Sequence, residues 1–267
     1  MRIPDNYAKD KDCILKVSCM MKMRILIGVA VMASALFSTL ASAGVVISGT
    51  RVVFPSTERE VTVKLTNEGK APALVQAWLD TGDANESPDK IDVPFMVTPS
   101  MFRLEPGRGQ TLRIIQSEAT LPADKESLFW LNVLEIPPKA SSGDDRNKIQ
   151  IAFRSRIKLM YRPADLPGSA RAASTQLKWT LVRDGNAAYR LEAANPTPYV
   201  VNVGYAALKS AGKEYDANMG YALPGGTLSL PVDGLVSPPA ADASIKFGSI
   251  DDWGATQAHE QPVALKP

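Results

Sequence analysis

From Gly44 onward, short runs rich in β-branched and aromatic residues alternate with prolines, glycines and Asn/Asp turns. The first part holds such runs at 44–47, 51–54, 61–65, 74–79, 111–115 and 128–134. Asn67-Glu68-Gly69, Thr81-Gly82-Asp83, Pro106-Gly107 and Pro137-Pro138 separate them. Runs of this length extend as strands and the breakers turn the chain between them, so the rhythm predicts a β-sandwich. It continues at 177–182, 189–191, 199–203, 227–230 and 245–247, broken by Asp184-Gly185, Pro196-Thr197-Pro198 and Pro224-Gly225-Gly226. No heptad, internal repeat or long amphipathic pattern competes with this reading. Two prolines and a glycine in 162–168 stop any regular element there. The expected organisation is therefore all-β, with one domain over 44–163, a hinge over 164–170 and a second, smaller domain over 171–267.

The N-terminus has a different character. Lys22 and Arg24 precede an apolar run over 25–40 that ends in Ala41-Ser42-Ala43, the order of a secretory signal cleaved after Ala43. Ser34, Ser38 and Thr39 interrupt the run, and the small-residue exit argues against a membrane span. The polar stretch 1–20 would make an unusually long leader, so translation is expected to start at Met20, Met21 or Met23. Both cysteines, Cys13 and Cys19, precede the cleavage point, which leaves the exported chain without a thiol, a disulfide or a Cys-held metal. A chain this long can be held by its core alone.

Charge and histidine content narrow the function. The chain has 30 Lys+Arg and 28 Asp+Glu, and the first 43 residues hold six and three of these, leaving 24 against 25. Near-neutrality removes the electrostatic source of nucleic-acid affinity. The single histidine, His259, sits in a polar tail, Gln257-Ala258-His259-Glu260-Gln261. Most general-base, thiol and zinc chemistries thus lack their usual residues, and no cofactor is expected.

The most unusual stretch is 148–162. Ile149, Ile151 and Phe153 lie two apart, so in a strand all three project from one face, opposite Gln150, Ala152 and Arg154. An ordinary half-buried strand with this face in its own core would show the same alternation. Length argues for more: about 14 residues exceeds the usual five or six, and a long edge strand with an apolar row invites pairing with another chain.

Several fragments carry a family likeness. They are Thr50-Arg51-Val52-Val53-Phe54-Pro55, the segment 121–130, Leu134-Glu135-Ile136-Pro137-Pro138, the segment 157–163 and Asn195-Pro196-Thr197-Pro198-Tyr199. In this order and spacing the set resembles the PapD-like periplasmic pilus chaperones over nearly the whole exported chain. The resemblance implies two immunoglobulin-like β-sandwich domains in an angled, boomerang arrangement whose cleft holds a pilus subunit. It implies donor-strand complementation by 149–158, with Ile149, Ile151 and Phe153 filling the subunit's groove, and delivery to an outer-membrane usher without ATP. By the same resemblance Arg51 and Lys158 grip the subunit's terminal carboxylate, while Glu126, Arg162 and Asp252 form a charge network between the domains. The modest connection over 137–148 resembles the short-loop branch of the family. A free protein with such an edge could also pair with a second copy of itself.

One feature conflicts with a regular strand: Lys158 has the opposite parity to Ile149, Ile151 and Phe153. A bulge between Phe153 and Lys158, or a change in which surface is covered, would reconcile them.

Two other classes compete. A Ser-Lys hydrolase is suggested by Ser155-Arg156-Ile157-Lys158 and Ser210-Ala211-Gly212-Lys213, but that chemistry wants Ser and Lys one helical turn apart. An offset of three on a strand puts them on opposite faces, and the second match reads as a hairpin tip. A secreted carbohydrate- or adhesin-type sandwich would display aromatics on loops. Trp78, Trp130 and Trp179 instead lie in strand-like runs and are expected in cores, with Trp253 less constrained.

Overall fold

The computed structural model describes residues 44–117, 120–139, 149–183 and 188–266. The leader, both cysteines, Lys148 and the Asp184-Gly185 turn lie outside the described residues.

Among the described residues, nine strands build the first domain: β1 (Val45–Ile47), β2 (Arg51–Pro55), β3 (Glu60–Asn67), β4 (Ala73–Asp80), β5 (Phe95–Thr98), β6 (Met101–Leu104), β7 (Gly109–Gln116), β8 (Ser127–Ile136) and β9 (Phe153–Arg162). They form two facing sheets, ordered β1-β3-β7-β5 and β2-β9-β8-β4-β6. Alternate residues of each strand point inward, and Leu65, Val75, Leu112, Ile114, Leu131 and Leu159 meet there fully buried. Phe54, Phe95, Phe129 and Tyr161 close one end as an aromatic cluster with centroids 5.0–6.1 Å apart.

After β9 come a single helical turn, α1 (Ala170–Ala173), capped by Ser169 Oγ, and a short 3-10 turn (Ser174–Gln176). The second domain follows with β10 (Lys178–Arg183), β11 (Tyr189–Ala194), β12 (Val201–Ser210), β13 (Lys213–Asp216), β14 (Gly220–Ala222), β15 (Thr227–Val232), β16 (Ser244–Ile250), β17 (Thr256–Pro262) and β18 (Ala264–Lys266). Its sheets run β15-β11-β10-β18 and β13-β12-β16-β17, with β14 added to β12. They enclose a separate core around Trp179, Leu181, Leu191, Leu208, Ile245 and Phe247. Two cores, each closed by its own sheets, make this an all-β, two-domain molecule.

The β12–β13 link is a two-residue hairpin with Ala211 and Gly212 both at positive φ, as a primed turn requires. Ser210 and Lys213 thus flank a hairpin tip. The sequence Asn195-Pro196-Thr197-Pro198-Tyr199 folds around the buried Asn195, whose Nδ2 donates to the carbonyls of Tyr199 and Ala222 at 2.7 and 3.1 Å. One amide thereby satisfies backbone groups that the prolines leave without a ladder.

Several expectations need correction. The polar tail 257–261 lies within a strand, β17, which pairs with β16 along its whole length. His259 there stacks on Phe247 at 4.8 Å, with Nε2 2.8 Å from Ser249 Oγ, and burial holds its pKa below the usual value. Trp179 is a core residue, but Trp78 and Trp130 lie on the outer face of the five-stranded sheet, under arginines. Trp253 is 95% exposed. The expected strand over 148–162 begins only at Phe153; Ile149 and Ile151 precede it in irregular backbone.

Candidate functional site

β9 is an edge strand along only half its length. β8 pairs with it from Phe153 to Tyr161, whereas β2 joins its other side only from Lys158 to Arg162. Among the described residues, Phe153 to Ile157 therefore have one open side. The apolar row borders that opening: Ile149 is 89% exposed, Ile151 58% and Phe153 63%.

Where the open side ends, Arg51 of β2 stands directly opposite Lys158 of β9 in the parallel register. Phe54 on β2 and Leu159 on β9 turn into the core, so by alternation Arg51 and Lys158 share the outer face, toward the second domain. There Lys158 Nζ donates to Asn202 Oδ1 at 2.6 Å and lies 4.4 Å from the Tyr221 ring centroid and 5.5 Å from that of Trp130. Arg51 Nη1 donates to the Ile250 carbonyl at 3.1 Å, while its buried Nε has no hydrogen-bond partner. Burial, and secondarily the neighbouring guanidinium of Arg51, lowers the Lys158 pKa to about 8. Burial lowers Arg51 too, against the opposing pull of Asp252 and Asp251. Both cations hydrogen-bond neutral acceptors, which is costly for buried charge. A cavity of about 480 Å³ beside Arg51 is lined by Val52, Val61, Val63, Ile157 and Trp253 among others.

The parity conflict resolves without a bulge. The register of β9 with both neighbours is unbroken. Phe153, Ser155 and Ile157 continue the face that carries Leu159 and Tyr161 into the first domain's core, whereas Lys158 faces the second domain. Ser155 and Lys158 consequently point to opposite faces, and no Ser-Lys pair forms there.

Glu126, Arg162 and Asp252 come together. Arg162 Nε donates to Glu126 Oε1 at 2.5 Å, and its two terminal nitrogens donate to Asp252 at 2.7 and 2.9 Å. Glu126 Oε2 also accepts from the Val200 amide at 2.6 Å. Burial raises the Glu126 pKa despite Arg162. Asp251 instead holds its own turn, accepting from the amides of Trp253 and Ala255. Glu126 just ahead of β8, Arg162 at the end of β9 and Asp252 in the β16–β17 turn thus form one network across the two domains.

Sequence reasoning missed a second charge cluster on β9, formed by Arg154 and Arg156 with Asp80 and Asn132. The signal was visible as Arg154, Arg156 and Lys158 at strand spacing, but their partners lie more than 20 residues away. Among the described residues, no group of three or more His, Cys, Asp or Glu is positioned to hold a metal.

Residues 44–167 match the N-terminal domain of the PapD pili and flagellar-assembly chaperones, and 172–261 match the PapD pili-assembly chaperone C-terminal domain. The chaperone protein FimB/FhaD of Bordetella pertussis is 40% identical over 252 residues, covering 92% of this chain and all of the relative. The crystal structure of the YadV chaperone, a probable fimbrial chaperone of Escherichia coli, superposes with a TM-score of 0.70 at 39% identity, covering 82% of this chain and 99% of that one. At 26% identity and a TM-score of 0.67, the SafB chaperone of Salmonella enterica, solved in complex with the SafA pilin, covers 84% of this chain and 98% of its own. A two-sandwich fold of this kind defines a class of assembly chaperones. This chain belongs to the PapD family of pilus-assembly chaperones.

Proposed function

We propose that this chain captures pilus subunits in the periplasm by donor-strand complementation along the open side of β9 and passes them to an outer-membrane usher. The observation that carries the reading is the Arg51–Lys158 pair, two half-buried cations whose hydrogen-bond acceptors are both neutral, set where the open side ends. A carboxylate is the ligand that such a pair lacks: it would satisfy the orphaned Arg51 Nε and offset the desolvation of both charges. A subunit strand ending there and running out along 157–153 would lie parallel to β9, taking up the line that β2 leaves. Its backbone would complete the half-open ladder, while Phe153, Ile151 and Ile149 enter the apolar groove of a subunit sandwich that lacks a strand. Each such burial contributes about 1.5–3 kcal/mol before the costs of association. Pairing itself supplies the driving force, so no nucleotide enters.

The test is co-purification with a co-expressed pilus subunit. One-to-one capture is expected from the native chain, and loss of at least 100-fold in yield from Arg51→Ala or Lys158→Ala with unchanged melting temperature. Normal capture by both variants would overturn the carboxylate anchor, and normal capture by Ile151→Asp would overturn the donated strand.

A further inference from the structure

The outer face of β9 carries three cations at strand spacing, Arg154, Arg156 and Lys158, and any of them could hold a carboxylate. What separates them is Asp80. Its side chain, at the end of β4, is fully buried and accepts from Arg156 Nη2 at 2.6 Å, Asn132 Nδ2 at 2.6 Å, the Gly82 amide at 2.7 Å and Arg154 Nη2 at 3.5 Å. Asn132, also buried, relays the hold: its Oδ1 accepts from Arg154 Nε at 2.8 Å and Arg156 Nε at 3.1 Å. The guanidinium carbons rest 4.9 Å from the ring centroids of Trp78 and Trp130, respectively. Each arginine therefore has its edge on an oxygen and its face on an indole.

Direction matters more than strength. The sheet order is β2-β9-β8-β4, so Asn132 on β8 and Asp80 on β4 lie on the side of β9 opposite its open half. Both arginines are drawn across β8, away from the line where a partner strand would dock. We infer that Asp80 is a positioning residue that sets the register of strand capture, by withdrawing Arg154 and Arg156 and leaving Arg51–Lys158 as the place for a terminal carboxylate. Freed from Asp80, Arg156 would offer a competing anchor two residues, or about 7 Å, along the strand. A slip of two keeps every side chain on its own face, so the apolar pattern alone does not forbid it.

This inference rests on the carboxylate-anchor reading, and the experiment separates the two. A co-expressed pilus subunit is the probe, with capture yield and the hydrogen-exchange footprint on β9 as readouts. In the native background Lys158→Ala is expected to lose capture. In the Asp80→Asn background the same substitution is expected to recover at least tenfold of it, with the protected amides displaced toward Phe153. An equal loss in both backgrounds, with an unmoved footprint, would overturn the inference. Undiminished capture by Lys158→Ala and Arg51→Ala in the native background would instead sink the anchor reading beneath it. Should Asp80→Asn fail to fold, Arg156→Gln decides: capture within twofold of native supports withdrawal of Arg156, and a loss matching that of Lys158→Ala shows Arg156 itself at the anchor and overturns it.

Discussion

Lys158 holds its charge under strain of environment, and that strain has a measurable consequence. With its pKa lowered to about 8 from 10.5, the unfolded chain binds more protons than the folded one between those values. Stability should therefore rise as pH climbs through that window and stay flat below it. Capture should show the opposite trend. A bound carboxylate restores the ammonium's ordinary preference for charge, so binding takes up a proton above pH 8. Subunit affinity, followed by titration calorimetry, should be constant from pH 6.5 to 8 and then fall by up to tenfold per unit. Lys158→Arg should abolish the fall, because a guanidinium keeps its charge throughout; a decline that persists in this variant would come from another group.

At the scale of the element, β9 is two half-strands with different neighbours. Subunit binding should slow amide exchange over Phe153 to Ile157 and leave Lys158 to Tyr161 nearly unchanged, since β2 already pairs with the latter. Protection spreading evenly over both halves would count against capture at the open side. Ile151→Asp should weaken capture about 10- to 100-fold, the loss of one buried apolar side chain. Part of this element is legible in the sequence: the opposite parity of Phe153 and Lys158 is a true division of faces, whereas Ile149 and Ile151, expected in the same strand, lie ahead of it. What was not legible depends on partners remote in sequence. β2 ends the open side at Lys158, 107 residues after Arg51 in an unbroken register. Trp78 and Trp130 read as core because they sit in apolar runs, yet guanidinium stacking on an outer face uses the same residue type. β5 and β6 escaped notice because Pro99 divides them, and β17 because a half-exposed edge strand needs few apolar residues.

For the whole molecule, the two cores are closed separately, and the joint between them is mostly polar. Arg162 stands at its centre with three nitrogens committed, one to Glu126 and two to Asp252. Around it lie the Lys158–Asn202 bond, the Trp130–Tyr221 contact at 5.9 Å and the bond from Tyr199 Oη to the Leu166 carbonyl. Arg162→Ala should leave both sandwiches folded but uncouple them, so that one calorimetric transition becomes two. It strips the cation from Glu126, which is 3% exposed, and removal of one partner from a buried pair costs about 3–5 kcal/mol. The sign with pH follows from burial. Without Arg162, only the Val200 amide still opposes the upward push of burial on the Glu126 carboxyl, so its pKa in the folded variant lies further above the unfolded value than in the native chain. Its stability should then fall as pH rises through that window, and the deficit against the native chain should be larger at pH 8 than at pH 5. Asp252→Asn, at a more exposed carboxylate, should cost about 1 kcal/mol. Arg162→Lys should not restore the coupling, because a single ammonium cannot reach Glu126 and grip Asp252 with two parallel bonds at once. A deficit that grew toward acid pH would place the origin of the coupling elsewhere in the joint.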